Sequence, residues 1–272
     1  MSKAFIDTTV LFDALIKTGE KGRKAKAALK RYEETEVPVY AFKELKAGPL
    51  ANFVWFHNKL VLTKSYQRAL EVLQSTSLGP KKYTVATALE ALAEGARANR
   101  NLTSGELVAR YGDKARLDSI NCDLWRFAIR TAIEKAWKRR RKVTTRVIVP
   151  LSCYREADPF EENGILKLEP TSCVVNPECC LAAEMKARPS DLHKLIDAID
   201  NEPDKPENKR RRKVLKEMSR IPKRYMVTNK ECRDLGDAIF ALFAPNDSVI
   251  LTTNVRDHKP LAEALGKSVE EP

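Results

Sequence analysis

The stretch KAFIDTTVLFDAL (residues 3–15) decides the fold class, because it places an apolar strand directly before an apolar-faced helix. The pattern predicts a strand over residues 3–6 and the start of a helix over residues 9–15. Asp7 stands between them, at the carboxyl end of the strand. An Asp in this position caps many helices, but this edge of an open parallel sheet is also where ligands bind.

The same strand–helix alternation continues after this stretch and returns near the end of the chain. Residues 21–33 predict a basic helix, and residues 36–42 predict a second strand. Towards the end, a helix from about residue 234 precedes a strand over 247–253 and a last turn and helix over 254–266. Alternating elements of this kind favour a parallel sheet, so we expect an α/β fold.

The long middle of the chain has a different character. Helical spacing runs through residues 53–74, 84–100 and 117–142, and the last of these is the most regular. Residues 144–154 predict a strand. We therefore expect a mostly helical block between the two α/β segments.

The remainder of the middle mixes irregular and charged segments. Residues 158–189 carry several Pro and Cys residues with little periodicity, and residues 189–200 predict a capped helix. Residues 201–213 are polar, highly charged and interrupted by Pro, which predicts a linker or loop. We expect a single α/β domain formed by residues 1–75 and 225–272, with residues 76–224 as the mostly helical insertion.

Composition narrows the choice of partners. The 272 residues include 49 Lys and Arg against 37 Asp and Glu, which gives a net charge of +12 and favours a polyanion such as nucleic acid. The apolar runs are much shorter than the roughly 20 residues that span a bilayer. Asp7 also interrupts any apolar region of a signal peptide. We expect a cytoplasmic protein with no membrane partner.

Four acid-bearing positions fall at the predicted carboxyl edge of the sheet. They are Asp7 after the first strand, Glu44 after the second, Asp237 near a helix start, and Asp257 in the turn after the last strand. Carboxylates that converge repel one another, and a hard cation such as Mg²⁺ or Mn²⁺ relieves that repulsion. Such an ion also activates water and stabilises charge on a phosphoryl oxygen. Acids, metal and a basic surface together suggest phosphodiester hydrolysis.

Each acid alone also fits a purely structural role. Asp7 has the position of a helix cap. Asp234 and Asp237 have the spacing of a capping pair, as do Asn254 and Asp257. Only the joint placement of the acids favours a site over four separate caps.

Four segments resemble, in the same order, the four motifs of the PIN-domain nucleases, a family that includes the VapC-like toxins. The segments are AFIDTTVLFDAL, VYAFKELKAG, LGDAIFAL and VILTTNVRDHKPLAEALG. The first motif is matched by Asp7 and Thr8, and the second by Glu44, Leu45 and Gly48. The third is matched by Asp237, Ala238 and Ile239, and the fourth by Thr252, Asn254 and Asp257. The resemblance covers roughly residues 1–75 and 225–270.

The resemblance implies a PIN-like α/β/α sandwich and a metal-dependent endoribonuclease acting on single-stranded RNA, with structured RNA left open as a substrate. Mg²⁺ or Mn²⁺ would be held by Asp7, Glu44, Asp237 and Asp257. The implied supporting groups are Thr8, Thr252, Asn254 and Asp234. A toxin or defence role, and a protein inhibitor or a second copy of the chain as partner, fit the family but have no sequence feature of their own.

Two departures from the family pattern stand out. Glu44 and Asp237 are 193 residues apart (237 − 44), far more than in compact members of the family. His258 stands where an aromatic residue is common. The insertion could shape a substrate channel, bind a partner or block the site.

The run KRRRK occurs twice, at residues 138–142 and 209–213. Arg suits phosphate through its planar fork of donors, although the first run also ends a helix, where cations are favoured by the dipole. The candidate nucleic-acid contacts are Lys138, Arg139, Arg140, Arg141, Lys209, Arg210, Arg211 and Arg212. These runs support the alternative function, a non-catalytic RNA-binding or assembly protein that works through its basic insertion.

Four cysteines fall in or beside the irregular segment: Cys153, Cys173, Cys179 and Cys180. Four thiolates can hold Zn²⁺ in a tetrahedral site. The adjacent Cys179 and Cys180 and the lack of a CxxC pair instead favour unligated thiols, so a zinc-stapled interaction module is the weakest of the three hypotheses.

Overall fold

The computed structural model describes residues 2–17, 19–75, 114–149, 151–169 except 152 and 155, 179–203, 205–220 and 228–272, together with residue 86. The helix predicted over residues 84–100 therefore lies outside the described residues, apart from residue 86, as does the zinc candidate Cys173.

The described strands form one parallel sheet and one short hairpin. They are β1 (Lys3–Ile6), β2 (Glu34–Pro38), β3 (Arg146–Ile148), β4 (Phe160–Glu162), β5 (Ile165–Lys167), β6 (Ser248–Leu251) and β7 (Val269–Glu270). The sheet has the order β3-β2-β1-β6-β7, and all its neighbouring strands run parallel. Strands β4 and β5 pair antiparallel. The predicted α/β class with a parallel sheet is confirmed.

Helices make up most of the rest of the described chain. They are α1 (Thr8–Ile16), α2 (Glu20–Leu29), α3 (Val39–Leu45), α4 (Ala51–Thr63), α5 (Tyr66–Ser75), α6 (Lys114–Arg139), α7 (Cys180–Lys186), α8 (Pro189–Asp200), α9 (Pro206–Arg220), α10 (Asn229–Phe243) and α11 (Val255–Ala264). A π-helical turn (Lys46–Leu50) joins α3 to α4. None of these helices is long and apolar enough to cross a bilayer.

The central strand β1 is covered on both faces. Ala4, Phe5 and Ile6 are all fully buried, and successive side chains of a strand point to opposite faces. Helices must therefore lie on both sides of the sheet, which is consistent with an α/β/α sandwich.

The register of the sheet places the ends of β1 and β6 side by side. Ile6 pairs with Leu251, and the Asp7 amide donates to the Leu251 carbonyl at 3.0 Å. The residues that follow these strands, Asp7 and Thr252, are neighbours although they are far apart in sequence.

The predicted strand over residues 36–42 is wrong in its second half. Strand β2 ends at Pro38, and Val39 begins α3. Glu44 consequently lies near the end of a helix, not directly after a strand. A short apolar run such as VPVYAF does not distinguish a strand from a buried helix, and Pro38 is well placed to end the strand.

The middle block packs on the α/β body and contributes to its sheet. Helix α6, predicted over residues 117–142, packs against α4, and its Trp137 is fully buried. Strand β3, which falls within residues 76–224, pairs with β2 at the edge of the parallel sheet. The sheet therefore draws a strand from the segment expected to be an insertion.

Two other expectations about this block need correction. Residues 158–189, predicted to be irregular, contain the β4–β5 hairpin and α7. The predicted loop over residues 201–213 is helical from Pro206 onward, because α9 begins there. Pro206 lies in the first turn of that helix, where a missing N–H costs nothing, so it starts the helix and does not break one.

Candidate active site

Asp7 lies at the junction of β1 and α1, where both carboxylate oxygens accept hydrogen bonds. The Thr8 amide donates to Oδ1 at 2.6 Å, so Asp7 does cap α1. The hydroxyls of Thr9 and Thr252 donate to Oδ2 at 2.6 and 2.7 Å. The Asp7 side chain is almost completely buried. The cap is therefore only half of its role, because Oδ2 is held by residues of α1 and the end of β6.

Glu44 reaches the same place from α3. Its Oε2 accepts a hydrogen bond from the Thr8 hydroxyl at 2.6 Å. Its Oε1 faces Gly236, where an added Cβ would lie 3.3 Å from that oxygen. The absence of a side chain at position 236 thus gives the Glu44 carboxylate room to lie against α10.

Asp237 and His258 complete the cluster from α10 and α11. His258 Nε2 lies 3.2 Å from Asp237 Oδ1 and 3.6 Å from Asp7 Oδ2. The other oxygen of Asp237, Oδ2, accepts a hydrogen bond from Arg211 Nη2. A single imidazole therefore links two acids that are 230 residues apart (237 − 7).

An aromatic cluster fixes the position of His258. The Phe240 ring makes edge-to-face contacts with His258 at 5.6 Å, Tyr40 at 5.8 Å and Phe5 at 6.0 Å between centroids. Such contacts have preferred geometries, and His258 is only 1% exposed. Its Nδ1 is buried with no hydrogen-bond partner among the described residues. The imidazole is thus held by packing on one side and by carboxylates on the other.

The environment of Glu44 disfavours its charged form. Burial raises the pKa of Glu44 to about 7, the nearby charges of Asp7 and Asp237 add to the rise, and hydrogen bonds from Thr8 and Tyr40 oppose it. A carboxyl with a pKa near 7 exchanges its proton at neutral pH, as general acids and bases do. Such groups are concentrated at functional sites.

The pKa of Asp237 is lowered, whereas the pKa of His258 is raised. Burial acts to raise the pKa of Asp237, but the His258 hydrogen bond and the Arg211 charge outweigh burial and bring the pKa to about 2. Burial acts to lower the pKa of His258, but the bond to Asp237 and the charges of Asp7, Asp237 and Glu44 raise it overall. The two groups favour an anionic Asp237 beside a protonated His258.

Asp257 does not join the other three acids. Its side chain is 43% exposed, lies 3.7 Å from Lys205 Nζ, and accepts a hydrogen bond from Asn254 Nδ2 at 3.1 Å. The backbone N–H of Asn254 in turn donates to the Thr252 hydroxyl at 3.0 Å. This turn therefore supports Asp7 through Thr252, while Asp257 stays at the margin of the cluster.

The Asp234 side chain, one turn before Asp237 on α10, is engaged by Arg210. Helix α10 begins at Asn229, so Asp234 and Asp237 lie within it, and the capping-pair interpretation is wrong for both. Thr228 and Glu231 form the capping box instead. Asp234 Oδ1 accepts a hydrogen bond from Arg210 Nε at 3.0 Å.

The second basic run meets acids of the chain itself. Arg210 pairs with Asp234, Arg211 with Asp237, and Arg212 with Asp200. In the first run, Arg140 is buried over the Trp137 ring, and Arg141 pairs with Glu156. Lys138, Arg139 and Lys142 are exposed. Three cations at the end of α6 are therefore exposed, and three arginines of α9 make ion pairs within the chain.

The described cysteines of the zinc candidate set are dispersed. Cys153 Sγ lies 3.5 Å from Lys43 Nζ, and Cys179 and Cys180 lie at the start of α7. Cys153, Cys179 and Cys180 form no disulfide within the described part of the chain. Within the described ranges, no three His, Cys, Asp or Glu side chains stand ready to hold an ion.

The chemistry of the donor set nevertheless suits a hard cation. Asp7, Glu44 and Asp237 offer only carboxylate oxygens, with hydroxyls of Thr8 and Thr252 beside them, and Mg²⁺ and Mn²⁺ prefer such oxygen donors. Both oxygens of Asp237 are engaged by Arg211 and His258 in this conformation. The residue types fit a divalent ion, and Arg211 stands where that ion would meet Asp237.

Sequence reasoning missed three residues of this site. His258 gave no signal beyond standing where an aromatic residue is common. Thr9 is a second hydroxyl donor to Asp7, which its place two residues after Asp7, in the first turn of α1, could have suggested. Arg211, predicted as a candidate nucleic-acid contact, is instead directed inward, towards Asp237.

Comparison with known proteins gives no further identification: the chain matches no family model, no curated protein and no solved structure.

Proposed function

We propose that the chain is a divalent-metal-dependent endoribonuclease, with Mg²⁺ or Mn²⁺ held by Asp7, Glu44 and Asp237. One observation carries the proposal: three carboxylates from three separate elements meet at the carboxyl edge of a parallel sheet. Ligands of open α/β folds bind at this edge. The PIN-like pattern of the sequence adds the reaction class and the choice of single-stranded RNA.

The cost of ionising Glu44 beside two other acids supports a cation. Burial and the neighbouring charges raise the pKa of Glu44 to about 7, so the three acids cannot all be ionised at neutral pH without cost. A purely structural role for Glu44 would be served by a neutral side chain, because its charged form is disfavoured where it lies. Retaining three carboxylates together has a chemical reason if a cation joins them.

Each residue of the site has a distinct role in this proposal. A bound Mg²⁺ or Mn²⁺ supplies charge neutralisation at a phosphoryl oxygen and lowers the pKa of a water molecule. Thr9 and Thr252 orient Asp7, and Thr8 orients Glu44. Glu44 would be one of the three carboxylates that hold the ion, and the charge of the ion would favour its ionised form.

The basic surface provides a means of holding RNA. The chain carries a net charge of +12, and exposed Lys138, Arg139 and Lys142 cluster at the end of α6. Phosphate contacts of this kind bind nucleic acid without reading its sequence. The alternative function, a non-catalytic RNA-binding protein, rests on the same surface. Only variants of the three acids can therefore distinguish a nuclease from an RNA-binding protein.

The experiment measures cleavage of a 5′-labelled single-stranded RNA in Mn²⁺ or in EDTA. We expect cleavage in Mn²⁺ alone, and its loss in the Asp7→Asn and Asp237→Asn proteins. Asp247→Asn is the matched control, because Asp247 is 62% exposed and pairs with Lys3 away from the cluster. Cleavage that persists in both folded acid variants contradicts the proposal. RNA binding without cleavage, lost on charge reversal of the exposed Lys138, Arg139 and Lys142, favours the alternative.

A further inference from the structure

Helix α9 presents several cations to acids of the candidate site and its rim. Lys205, directly before the helix, lies 3.7 Å from Asp257 Oδ1. Arg210 Nε donates to Asp234 Oδ1 at 3.0 Å, and Arg211 pairs with Asp237. The basic face of α9 therefore lies against acids of α10, and Lys205 before it reaches Asp257 of α11.

Arg211 differs from its neighbours in burial and in the acid that its guanidinium contacts. It is 8% exposed, whereas the side chain of Arg210 is 43% exposed. The Arg211 guanidinium donates Nε to the Asp234 carbonyl at 3.1 Å and Nη2 to Asp237 Oδ2. Its position is thus fixed by two acceptors on the same helix, and its charge is directed at one acid of the cluster.

Both oxygens of Asp237 already face a donor. Oδ2 accepts from Arg211, and Oδ1 lies 3.2 Å from His258 Nε2. A divalent ion bound to Asp237 would share the carboxylate with the Arg211 guanidinium, and the two cations would repel each other. Occupation of Asp237 by Arg211 and by a metal ion are therefore competing states.

We propose that Arg211 is an internal competitor of the divalent metal, which holds Asp237 until the metal displaces its guanidinium. The inference rests on the proposed function, because it requires Asp237 to be a metal ligand. It gives α9 a regulatory role, since anything that draws Arg211 away from Asp237 increases the affinity of the site for the ion.

The first test measures Mn²⁺ affinity by isothermal titration calorimetry for the wild type and for Arg211→Gln. We expect Arg211→Gln to bind Mn²⁺ at least about tenfold more tightly, as typical coupling between two sites allows. Arg210→Gln is the matched control, since it removes a neighbouring guanidinium from the same helix, and its affinity should stay within about twofold of wild type. Equal or weaker binding by Arg211→Gln overturns the inference.

A second measurement needs no variant and therefore does not depend on how one folds. Competition is reciprocal, so Mn²⁺ must loosen the attachment of α9. Hydrogen exchange of the wild type should speed up in residues 206–220 on adding Mn²⁺, with α6 unchanged. Unchanged or slower exchange in α9 overturns the inference.

The two proposals fail in different ways. If wild type and Arg211→Gln bind Mn²⁺ equally, only the proposed role of Arg211 is contradicted. If neither protein binds Mn²⁺, both the metal-dependent function and the role of Arg211 are contradicted.

Discussion

Replacing Glu44 by Gln should stabilise the protein at neutral and alkaline pH. Burial, together with the charges of Asp7 and Asp237, raises the pKa of Glu44 to about 7 in the folded state from its usual 4.5. The folded protein therefore holds a proton there that the unfolded chain has released, so stability falls as pH rises from about 4.5 to 7. Gln carries no charge and removes this loss.

The pKa shift sets the magnitude of the effect. For a shift of this size, we expect Glu44→Gln to raise the free energy of unfolding by about 3 kcal/mol at pH 8. At pH 5, where Glu44 is neutral in the folded protein, the expected increase is about 1 kcal/mol. Gln retains an oxygen that can accept the Thr8 hydrogen bond, and its NH₂ can donate to the Tyr40 oxygen. Because these hydrogen bonds can be kept, most of the expected increase in the free energy of unfolding should be measurable.

The assay is urea unfolding at pH 8 and pH 5, without divalent metal, monitored by tryptophan fluorescence. Glu184→Gln, at an exposed position of α7, is the control and should change stability by less than about 0.5 kcal/mol at either pH. A Glu44→Gln protein that is no more stable than wild type at pH 8, or whose gain is the same at both pH values, would refute the reasoning about the cluster.

The remaining predictions concern the other groups of the site. Since the pKa of Asp237 is about 2 in the folded protein against its usual 3.8, its charged form contributes about 2 kcal/mol that is present above pH 4 and lost as pH falls towards 2. Urea unfolding between pH 5 and pH 2 should show a shallower loss in Asp237→Asn, and an unchanged slope would contradict this. Thr252→Val removes the buried donor to Asp7 Oδ2 and the acceptor of the Asn254 amide, and should cost about 1–3 kcal/mol by denaturant unfolding. Its exposed neighbour Thr253 offers the control, and an equal effect of Thr253→Val would argue against the specific role of Thr252.

The sequence predicted the acids of the site better than it predicted their surroundings. Asp7 and Asp237 were recognised from the alternation of strands and helices, because the carboxyl ends of parallel strands share one edge. Glu44 was assigned to that edge although it lies on α3, since an apolar run before it fits a strand or a buried helix equally well. Periodicity identifies the covered face of an element, but it does not identify the side chains that meet across the fold.

His258 and Arg211 show the limits of local patterns most clearly. A His on the buried face of a helix is indistinguishable from a packed core residue until Asp7 and Asp237 are seen beside it. A run of five cations predicts a solvated surface, and the inward path of Arg211 depends on the packing of α9 against α10. Asp257 illustrates the reverse, because its spacing fitted the site, yet Asn254 and Lys205 hold it at the margin.

The most direct test of the proposed metal site is an anomalous difference map from crystals soaked in saturating Mn²⁺. The account predicts a peak within about 2 Å of carboxylate oxygens of Asp7, Glu44 and Asp237, with Arg211 moved off Asp237. Density that leaves Arg211 paired with Asp237 and shows no peak among these three acids, in wild type and in Arg211→Gln alike, would contradict the account.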